Sequence, residues 1–316
     1  MKRQFDPAIL PAGGLLIAGS SHEERCEGIC RRKGIWAPTS VIIFHYDDRN
    51  PRREQRHQAL VDGFSRETCR PISPKFAERD PAKSLRENMP ELDSALAKNG
   101  KLPIVLDISV LTKRHMLMAL RWLDDRDCWD RLWIVYTEPG DYDVSKYIPL
   151  SFGMSRVQQI PGFCAAPDMS RPLHLAIFLG YEGDRALAAY EHIQPMETTL
   201  VVPHPPYKPE WEGRTEEFNC DLIKVVGADS VVKVDATDPE SSVVAMRKSL
   251  GEETQRAPHS KLVCPLGTKP QAVGVYMYTR KCIDPPALVY ASPLRHNHDF
   301  YSFGIGRSWI LKMPEL

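Results

Sequence analysis

The stretch from residue 261 to residue 276 reads KLVCPLGTKPQAVGVY. A short apolar run is followed by a Gly-Thr-Lys turn and then by small and apolar residues at helical spacing, which predicts a strand, a tight loop and a helix. Pro270 favours the helix start, because the missing N–H of a proline has no partner in the first turn anyway. The N-terminus of such a helix suits an anion, most naturally a phosphate. Gly267, Thr268 and Lys269 are therefore predicted to bind one, the last two with a hydroxyl and a cation.

A similar pattern occurs earlier in the chain. Residues 102–113 read LPIVLDISVLTK, an apolar strand that leads to a second Thr-Lys pair, and an apolar-rich helix pattern follows. Thr112 and Thr268 lie 156 residues apart (268 − 112). Three further pairs of landmarks recur in the same order at offsets between 154 and 161 residues: Gly19 with Gly180, Val41 with Thr199, and Tyr136 with Tyr290. Ordered matches at nearly one offset indicate a duplicated α/β unit.

The predicted fold class is α/β, with two duplicated Rossmann-like units. Strands alternate with helices in both halves, which indicates mostly parallel sheets flanked by helices. We expect the first unit at residues 1–137, an irregular junction rich in Pro and Gly at 138–171, and the second unit at 172–316. The second unit is expected to end in a C-terminal tail that has no counterpart in the first. A chain of 316 residues fits two domains of ordinary size.

Composition and charge exclude several classes of protein. Hydrophobic residues make up 42% of the chain and charged residues 26%, as in soluble globular proteins. The 41 basic and 41 acidic residues balance, so the net charge does not support direct binding of duplex nucleic acid. No apolar stretch has the length of a membrane span, and we interpret residues 15–19 as a strand, not as part of a targeting segment. We expect a cytoplasmic protein that does not bind membranes.

The sequence predicts no metal site. The eight cysteines show no C-x-x-C spacing, which is typical of scattered reduced thiols. His22, Cys26 and Cys30 are spaced for one helix face, but no fourth ligand is in register. Asp47 and Asp48 follow a predicted strand and offer the oxygen ligands that Mg²⁺ prefers. Such a pair is more typical of a solvated loop before a helix.

Further candidate ligand-binding residues follow the predicted strands of both halves. In open α/β sheets, ligands bind beyond the carboxyl ends of the strands. The candidates at these positions, besides the Gly-Thr-Lys turn, are Thr112, Lys113, Ser20, Ser21, Asp107, Tyr181 and Glu182. Capping of the next helix is the structural alternative for each of them. No Walker P-loop, dinucleotide fingerprint or nucleophile elbow is present, so the sequence identifies no catalytic residue and no cofactor.

The turn Leu266-Gly267-Thr268-Lys269 resembles a turn of a known family. It is similar to the last part of the Thr-Gly-Gly-Thr-Lys-like turn that follows a strand in CARF domains, the ligand-sensing Rossmann-like domains of CRISPR-associated effectors. The resemblance covers residues 260–280 and departs from the pattern at Pro265 and Leu266. It implies binding of a phosphate-rich nucleotide and a role in prokaryotic antiviral defence, and it identifies no catalytic residue.

Three functional hypotheses follow. The first is a ligand-sensing or regulatory protein that binds a nucleotide or another phosphorylated small molecule and works with a protein partner or as a homo-oligomer. The second is an enzyme acting on a nucleotide or phosphate ester, with Asp47, Asp107 or Glu182 as acid/base or metal ligand. The third is a scaffold subunit of a multiprotein complex. The absence of a complete catalytic motif favours the first hypothesis.

Overall fold

The computed structural model describes residues 3–4, 6–10, 12–34, 36–46, 50–65, 69–77, 80–141, 151–297 and 302–314. The strands are β1 (Arg3–Gln4), β2 (Leu15–Gly19), β3 (Ser40–Tyr46), β4 (Lys75–Phe76), β5 (Ile104–Asp107), β6 (Leu132–Asp141), β7 (Ser151–Gln159), β8 (Leu173–Phe178), β9 (Glu197–Pro203), β10 (Val231–Val234), β11 (Ser260–Pro265), β12 (Ala287–His296) and β13 (Phe303–Lys312). The α-helices are α1 (Gly28–Arg32), α2 (Pro51–Phe64), α3 (Pro81–Asn99), α4 (Lys113–Asp124), α5 (Gly183–Ile193), α6 (Arg214–Phe218), α7 (Cys220–Val226), α8 (Pro239–Leu250) and α9 (Lys269–Lys281).

The chain divides into two compact units. The first comprises Met1–Ile148 together with His298–Leu316, and the second comprises Pro149–Asn297. The sheet of the first unit has the strand order β1-β13-β6-β5-β2-β3-β4, and that of the second has the order β10-β9-β8-β11-β12-β7. The predicted α/β class is confirmed, since each sheet is mostly parallel and is accompanied by helices.

The two sheets share one topology. Numbered within each unit, five parallel strands run in the order 3-2-1-4-5, as β4-β3-β2-β5-β6 and as β10-β9-β8-β11-β12. An antiparallel strand then pairs with the fifth: β13 with β6, and β7 with β12. Thr112 and Thr268 each cap the helix that follows the fourth strand. The predicted duplication is therefore confirmed at the level of strand order.

The antiparallel strands are exchanged between the repeats. β7 follows β6 in the chain but pairs with β12 of the second unit, whereas β13 follows β12 but pairs with β6 of the first. The predicted boundaries were wrong in two respects. The region 138–171 contains the end of β6 and all of β7, and residues 298–316 belong to the first unit. The C-terminal tail does have a counterpart, because β13 occupies the place in one sheet that β7 occupies in the other.

Polar residues followed by proline define several helix starts. Asn50, Asp80 and Asp238 each precede a proline at the first helical position and accept hydrogen bonds from backbone N–H groups of the first turn. Residues 209–219 do not form one continuous helix. A 3₁₀ turn at Pro209–Trp211 is followed by Gly213. Its φ of +78° is incompatible with a right-handed helix, so α6 begins only after it.

The core of each unit lies between its sheet and its helices. All of β2 and β11 is buried, and so is α9 from Pro270 to Thr279.

All eight cysteines are free thiols, and burial raises the pKa of Cys26 to about 12, which makes that thiol unreactive. None of the helices in the described part of the chain is long and apolar enough to cross a membrane.

Candidate functional site

The strand order places a crevice at the carboxyl edge of each sheet. Between β2 and β5, and between β8 and β11, the direction of the strand connections reverses, which is where open α/β sheets bind ligands. In the first unit, the loop after β5 comes close to the glycine that ends β2. A Cβ atom on Gly19 would lie 2.8 Å from Leu111. The predicted candidates of each unit lie at or after the carboxyl ends of these strands.

Buried polar side chains are concentrated at the carboxyl edge of the first unit. Ten of them lie at the end of β5 or in the loops and helices after β2, β3 and β5: Ser20, Ser21, Glu23, Arg25, Arg53, His57, Asp107, Ser109, Arg114 and His115. Burying a charged or polar group costs free energy unless it is paired. Each of these side chains therefore needs a partner.

Tyr46 connects the starts of α2 and α4. Its hydroxyl accepts a hydrogen bond from the backbone N–H of Thr112 at 3.2 Å, and its ring packs edge-on against His115 at 5.1 Å. The guanidinium of Arg53 lies over the same ring, 5.2 Å from its centre. The Thr112 hydroxyl lies 2.7 Å from Nδ1 of His115. Two helix N-termini and a buried arginine thus meet around one aromatic ring.

A second group surrounds His45 at the end of β3. Its ring lies 4.2 Å from that of His57, and its Nδ1 is 3.4 Å from the Ser20 hydroxyl. Burial and the neighbouring His45 lower the pKa of His57. Nε2 of His45 lies 3.4 Å from Glu54, so serine, histidine and carboxylate form a row. Ser20 is fully buried and donates to the Phe44 carbonyl, so this row does not present a nucleophile to solvent.

Asp107 and Ser21 are held by their own neighbours. Oδ1 of Asp107 accepts hydrogen bonds from the backbone N–H and the hydroxyl of Ser109. The Ser109 hydroxyl in turn accepts from the N–H of Thr137, which links β5 to β6. Ser21 accepts from the N–H of Glu23, whose carboxylate forms a buried ion pair with Arg25 at 2.8 Å. These contacts give both residues a structural role.

In the second unit, Gly267 and Thr268 form a complete helix cap. The Thr268 hydroxyl accepts from the N–H of Gln271 at 3.2 Å and donates to the Ala236 carbonyl at 2.5 Å. The side chain of Gln271 accepts from the N–H of Thr268 in return, at 3.0 Å. A Cβ at Gly267 would collide with Oε1 of Gln271. The cap therefore accounts for both residues and uses backbone donors that an anion would need.

Tyr181 and Glu182 also make contacts within the second unit. The ring of Tyr181 packs against Phe218, with 4.6 Å between ring centres. Both carboxylate oxygens of Glu182 accept from the Ser151 hydroxyl at 2.9 Å, and Arg185 lies 3.8 Å away. Glu182 thereby ties the loop after β8 to β7. This contact, like those of Asp107, leaves the carboxylate less suited to acid/base catalysis.

Lys113 and Lys269 occupy equivalent, half-buried positions at the first residue of α4 and of α9. The structure therefore brings Ser20, Thr112 and Lys113 to one edge and Gly267 to Lys269 to the corresponding edge of the other unit. Asp47 and Asp48, the pair considered for Mg²⁺, lie outside the described residues.

Four buried polar residues of this edge were not among the predicted site residues, because on helices they resemble ordinary solvated residues. They are Arg53, His57, Arg114 and His115. One signal was present. Cations in a first helical turn oppose the helix dipole, so their occurrence just after Asn50 and Thr112 was unfavourable without an anion. A further missed group, His174, Glu197 and His259, lies at the opposite edge of the second sheet. Within the described part of the chain, these are the residues with donor atoms close enough to hold a metal ion.

No model of a known protein family matches this chain, and no curated protein matches it. Among solved structures, the chain is similar to the crystal structure of the cytoplasmic domain of a prokaryotic cation chloride cotransporter, with 12% sequence identity and a TM-score of 0.29. The similarity covers 90% of this chain and 96% of that chain. A likeness at this score carries no argument about what the present protein does.

Proposed function

We propose that this protein is a ligand-sensing regulatory protein whose first unit binds a nucleotide or another phosphorylated small molecule at the carboxyl edge of its sheet. The observation that carries the proposal is the burial of two arginines, Arg53 and Arg114. Each lies in the first turn of a helix that begins at this edge. A buried arginine at a positive helix end is stabilised by an anion, and its planar fork matches phosphate oxygens.

The contrast between the two units supports this choice of site. In the second unit, the equivalent helix start is occupied by its own capping box and by Pro270, which has no N–H. In the first unit, α4 has no proline in its first turn. Its cap, Thr112, accepts a hydrogen bond from the N–H of His115, and the Thr112 hydroxyl also lies 2.7 Å from Nδ1 of that side chain. Lys269, predicted from the sequence to contact the anion, is retained as the rival site in the test below.

Titration calorimetry of the full chain with inorganic phosphate and with mono-, di- and cyclic nucleotides tests the proposal. Arg53→Ala is expected to weaken binding about tenfold or more, because a charge-assisted hydrogen bond contributes about 1.5–3 kcal/mol. The matched control is Arg52→Ala, since Arg52 is the exposed neighbour on the same helix. Melting temperatures of both variants separate loss of binding from loss of folding.

The outcomes distinguish the candidates. If Lys269→Ala abolishes binding while Arg53→Ala does not, the ligand binds in the second unit. If no compound binds the wild type, the ligand-sensing function is wrong and the scaffold hypothesis gains. Turnover of a bound nucleotide or phosphate ester would favour the enzyme hypothesis. A role in prokaryotic antiviral defence rests on the CARF resemblance of residues 266–269 alone, and a protein partner or homo-oligomer remains a prediction.

A further inference from the structure

Two histidines and a glutamate meet at the amino edge of the second sheet. His174 is the second residue of β8, Glu197 is the first residue of β9, and His259 immediately precedes β11. In the parallel register, His174 lies beside Glu197 on one neighbouring strand and beside Lys261 on the other. Alternate residues of a strand share a face, so His259 lies on the same face as Lys261. Three strands therefore bring the three side chains together.

The distances match those of a metal site. Nδ1 of His174 lies 3.2 Å from Oε2 of Glu197, and the donor atoms of all three residues lie within 4.8 Å of one another. Zinc–ligand bonds of about 2.0–2.2 Å in a tetrahedral site place neighbouring donor atoms about 3.4 Å apart. The third donor, on His259, lies within 4.8 Å of the other two and would have to move closer to reach that spacing.

Each imidazole is held by one nitrogen and offers the other to the centre of the cluster. Nε2 of His174 lies 2.9 Å from the Thr199 hydroxyl, and His259 is hydrogen-bonded to the backbone of Leu250. Nε2 of His259 is buried and has no hydrogen-bond partner in the part of the chain that the structure describes. Nδ1 of His174 is likewise buried, and its 3.2 Å contact with Glu197 does not have hydrogen-bond geometry. The residues themselves are only 7% and 9% exposed. Metal-binding histidines typically show this arrangement, in which the second nitrogen is fixed by an outer partner.

The charges in the cluster also fit a cation. Burial lowers the pKa of both histidines, which favours the neutral imidazole that binds metals. The carboxylate of Glu197 supplies a negative charge, and its side chain is 57% exposed, which leaves a route from solvent. Lys261 opposes a cation. Its ammonium is buried, lies 6.0 Å from the ring centre of Tyr278, and lowers the pKa of His259. We therefore expect an affinity below that of four-ligand structural zinc sites.

We propose that His174, Glu197 and His259 bind a divalent transition-metal ion of the Zn²⁺ class, with solvent at the remaining position. Two imidazoles and one carboxylate are the donor set of open, three-ligand zinc sites. This proposal differs from the sequence-based prediction that the protein has no metal site. It is independent of the proposed ligand site, which lies in the other unit.

The test is titration of chelator-treated, full-length protein with Zn²⁺ by calorimetry and with Co²⁺ by visible absorption. The wild type is expected to bind one ion per chain, to give the spectrum of four-coordinate Co²⁺, and to melt at a higher temperature with Zn²⁺. Glu197→Gln and His259→Gln are each expected to weaken binding at least tenfold. The matched control is His204→Gln. His204 lies 3.4 Å from a glutamate, Glu212, in the same unit, but in the described part of the chain it belongs to no group of three possible metal ligands.

Each outcome decides the proposal. Loss of Zn²⁺ binding in Glu197→Gln and His259→Gln, with His204→Gln unchanged, supports it. The same stoichiometry and affinity in the wild type and in the double variant His174→Gln/His259→Gln overturns it. Should His259→Gln lower the melting temperature of the metal-free protein without changing Zn²⁺ affinity, the cluster is a buried polar network and the proposal is wrong.

Discussion

At the residue scale, the carboxyl edge of the first unit combines polar burial with helix starts. His57 lies on α2 one turn after Arg53, is 8% exposed, and faces the ring of His45 at 4.2 Å. Its pKa is lowered by burial first and by His45 second, while the nearby Glu54 acts in the opposite direction. A buried imidazole that resists protonation makes folding sensitive to pH near neutrality.

We expect His57 to destabilise the protein as the pH falls. An unfolded histidine titrates near about pH 6.5. Below that pH the unfolded state binds a proton that the folded state, with its lowered pKa, does not yet bind, so the free energy of unfolding decreases until the folded pKa is passed. Replacement His57→Gln should therefore flatten the decline of melting temperature between about pH 7 and pH 5. The measurement is thermal unfolding followed by circular dichroism.

The control for this prediction is His192→Gln, at an exposed position near the end of α5, which should leave the pH profile unchanged. A His57→Gln profile parallel to that of the wild type, over the same pH range, would contradict the assignment.

At the scale of elements, the crossing of α8 and α9 depends on one glycine. A Cβ at Gly274 would collide with the backbone carbonyl oxygen of Pro239 and would lie 2.7 Å from Cβ of Ser242. Pro239 begins α8, and a backbone oxygen there cannot move without displacing the helix. The close approach of these helices is what allows α9 to be buried along most of its length.

Gly274→Ala is expected to destabilise the protein by about 1–3 kcal/mol, the usual cost of overpacking. In an uncrowded helix the same substitution would stabilise by about 1 kcal/mol, because alanine is the better helix former. The sign of the change in chemical-denaturation midpoint therefore reports whether the helices are in contact. Val244→Ala, on the exposed side of α8, is the control and should change stability little. A more stable Gly274→Ala protein would show that α8 and α9 pack less closely than described.

At the scale of the whole molecule, the first unit depends on a strand from a distant part of the sequence. β13 joins the first sheet, where Ser308 bonds to Thr137 at 2.8 Å and the Trp309 indole donates to Glu138 at 2.6 Å. Ile310 of the same strand is 2% exposed and belongs to the core of the first unit. The last strand of the chain therefore stabilises a sheet whose other strands, apart from β1, lie between residues 15 and 141.

Ile310→Ala should destabilise the first unit by about 2–5 kcal/mol through loss of buried apolar contacts and the cavity it leaves. Native-state hydrogen exchange is expected to show faster exchange in β5 and β6, with β8 and β11 unchanged. Phe303→Ala is the control, because Phe303 lies on the same strand but is 53% exposed. Equal loss of protection in both sheets would mean that the units unfold as one cooperative body.

The α/β class, the duplication and the helix starts at the two Thr-Lys pairs follow from local sequence patterns. Apolar runs, polar caps and prolines at helix starts act over a few residues, so they are visible without tertiary contacts. Thr112 and Thr268 were correctly placed as helix starts for this reason. The pairing of the strands, by contrast, depends on tertiary contacts. β7 has no long apolar run and many half-exposed residues, so its partnership with β12 left no local pattern to detect.

The same distinction applies to the candidate sites. The local sequence pattern identified Thr268 as a polar residue at a helix start, where it could contact an anion. The fold shows that its hydroxyl already accepts a hydrogen bond from the N–H of Gln271 and donates one to the carbonyl of Ala236. His174 and His259 are 85 residues apart (259 − 174) and meet because β8 and β11 are neighbours in a parallel sheet. A hydrogen bond or a ligand set depends on atoms within a few ångströms, and distance along the chain does not encode which strands lie side by side.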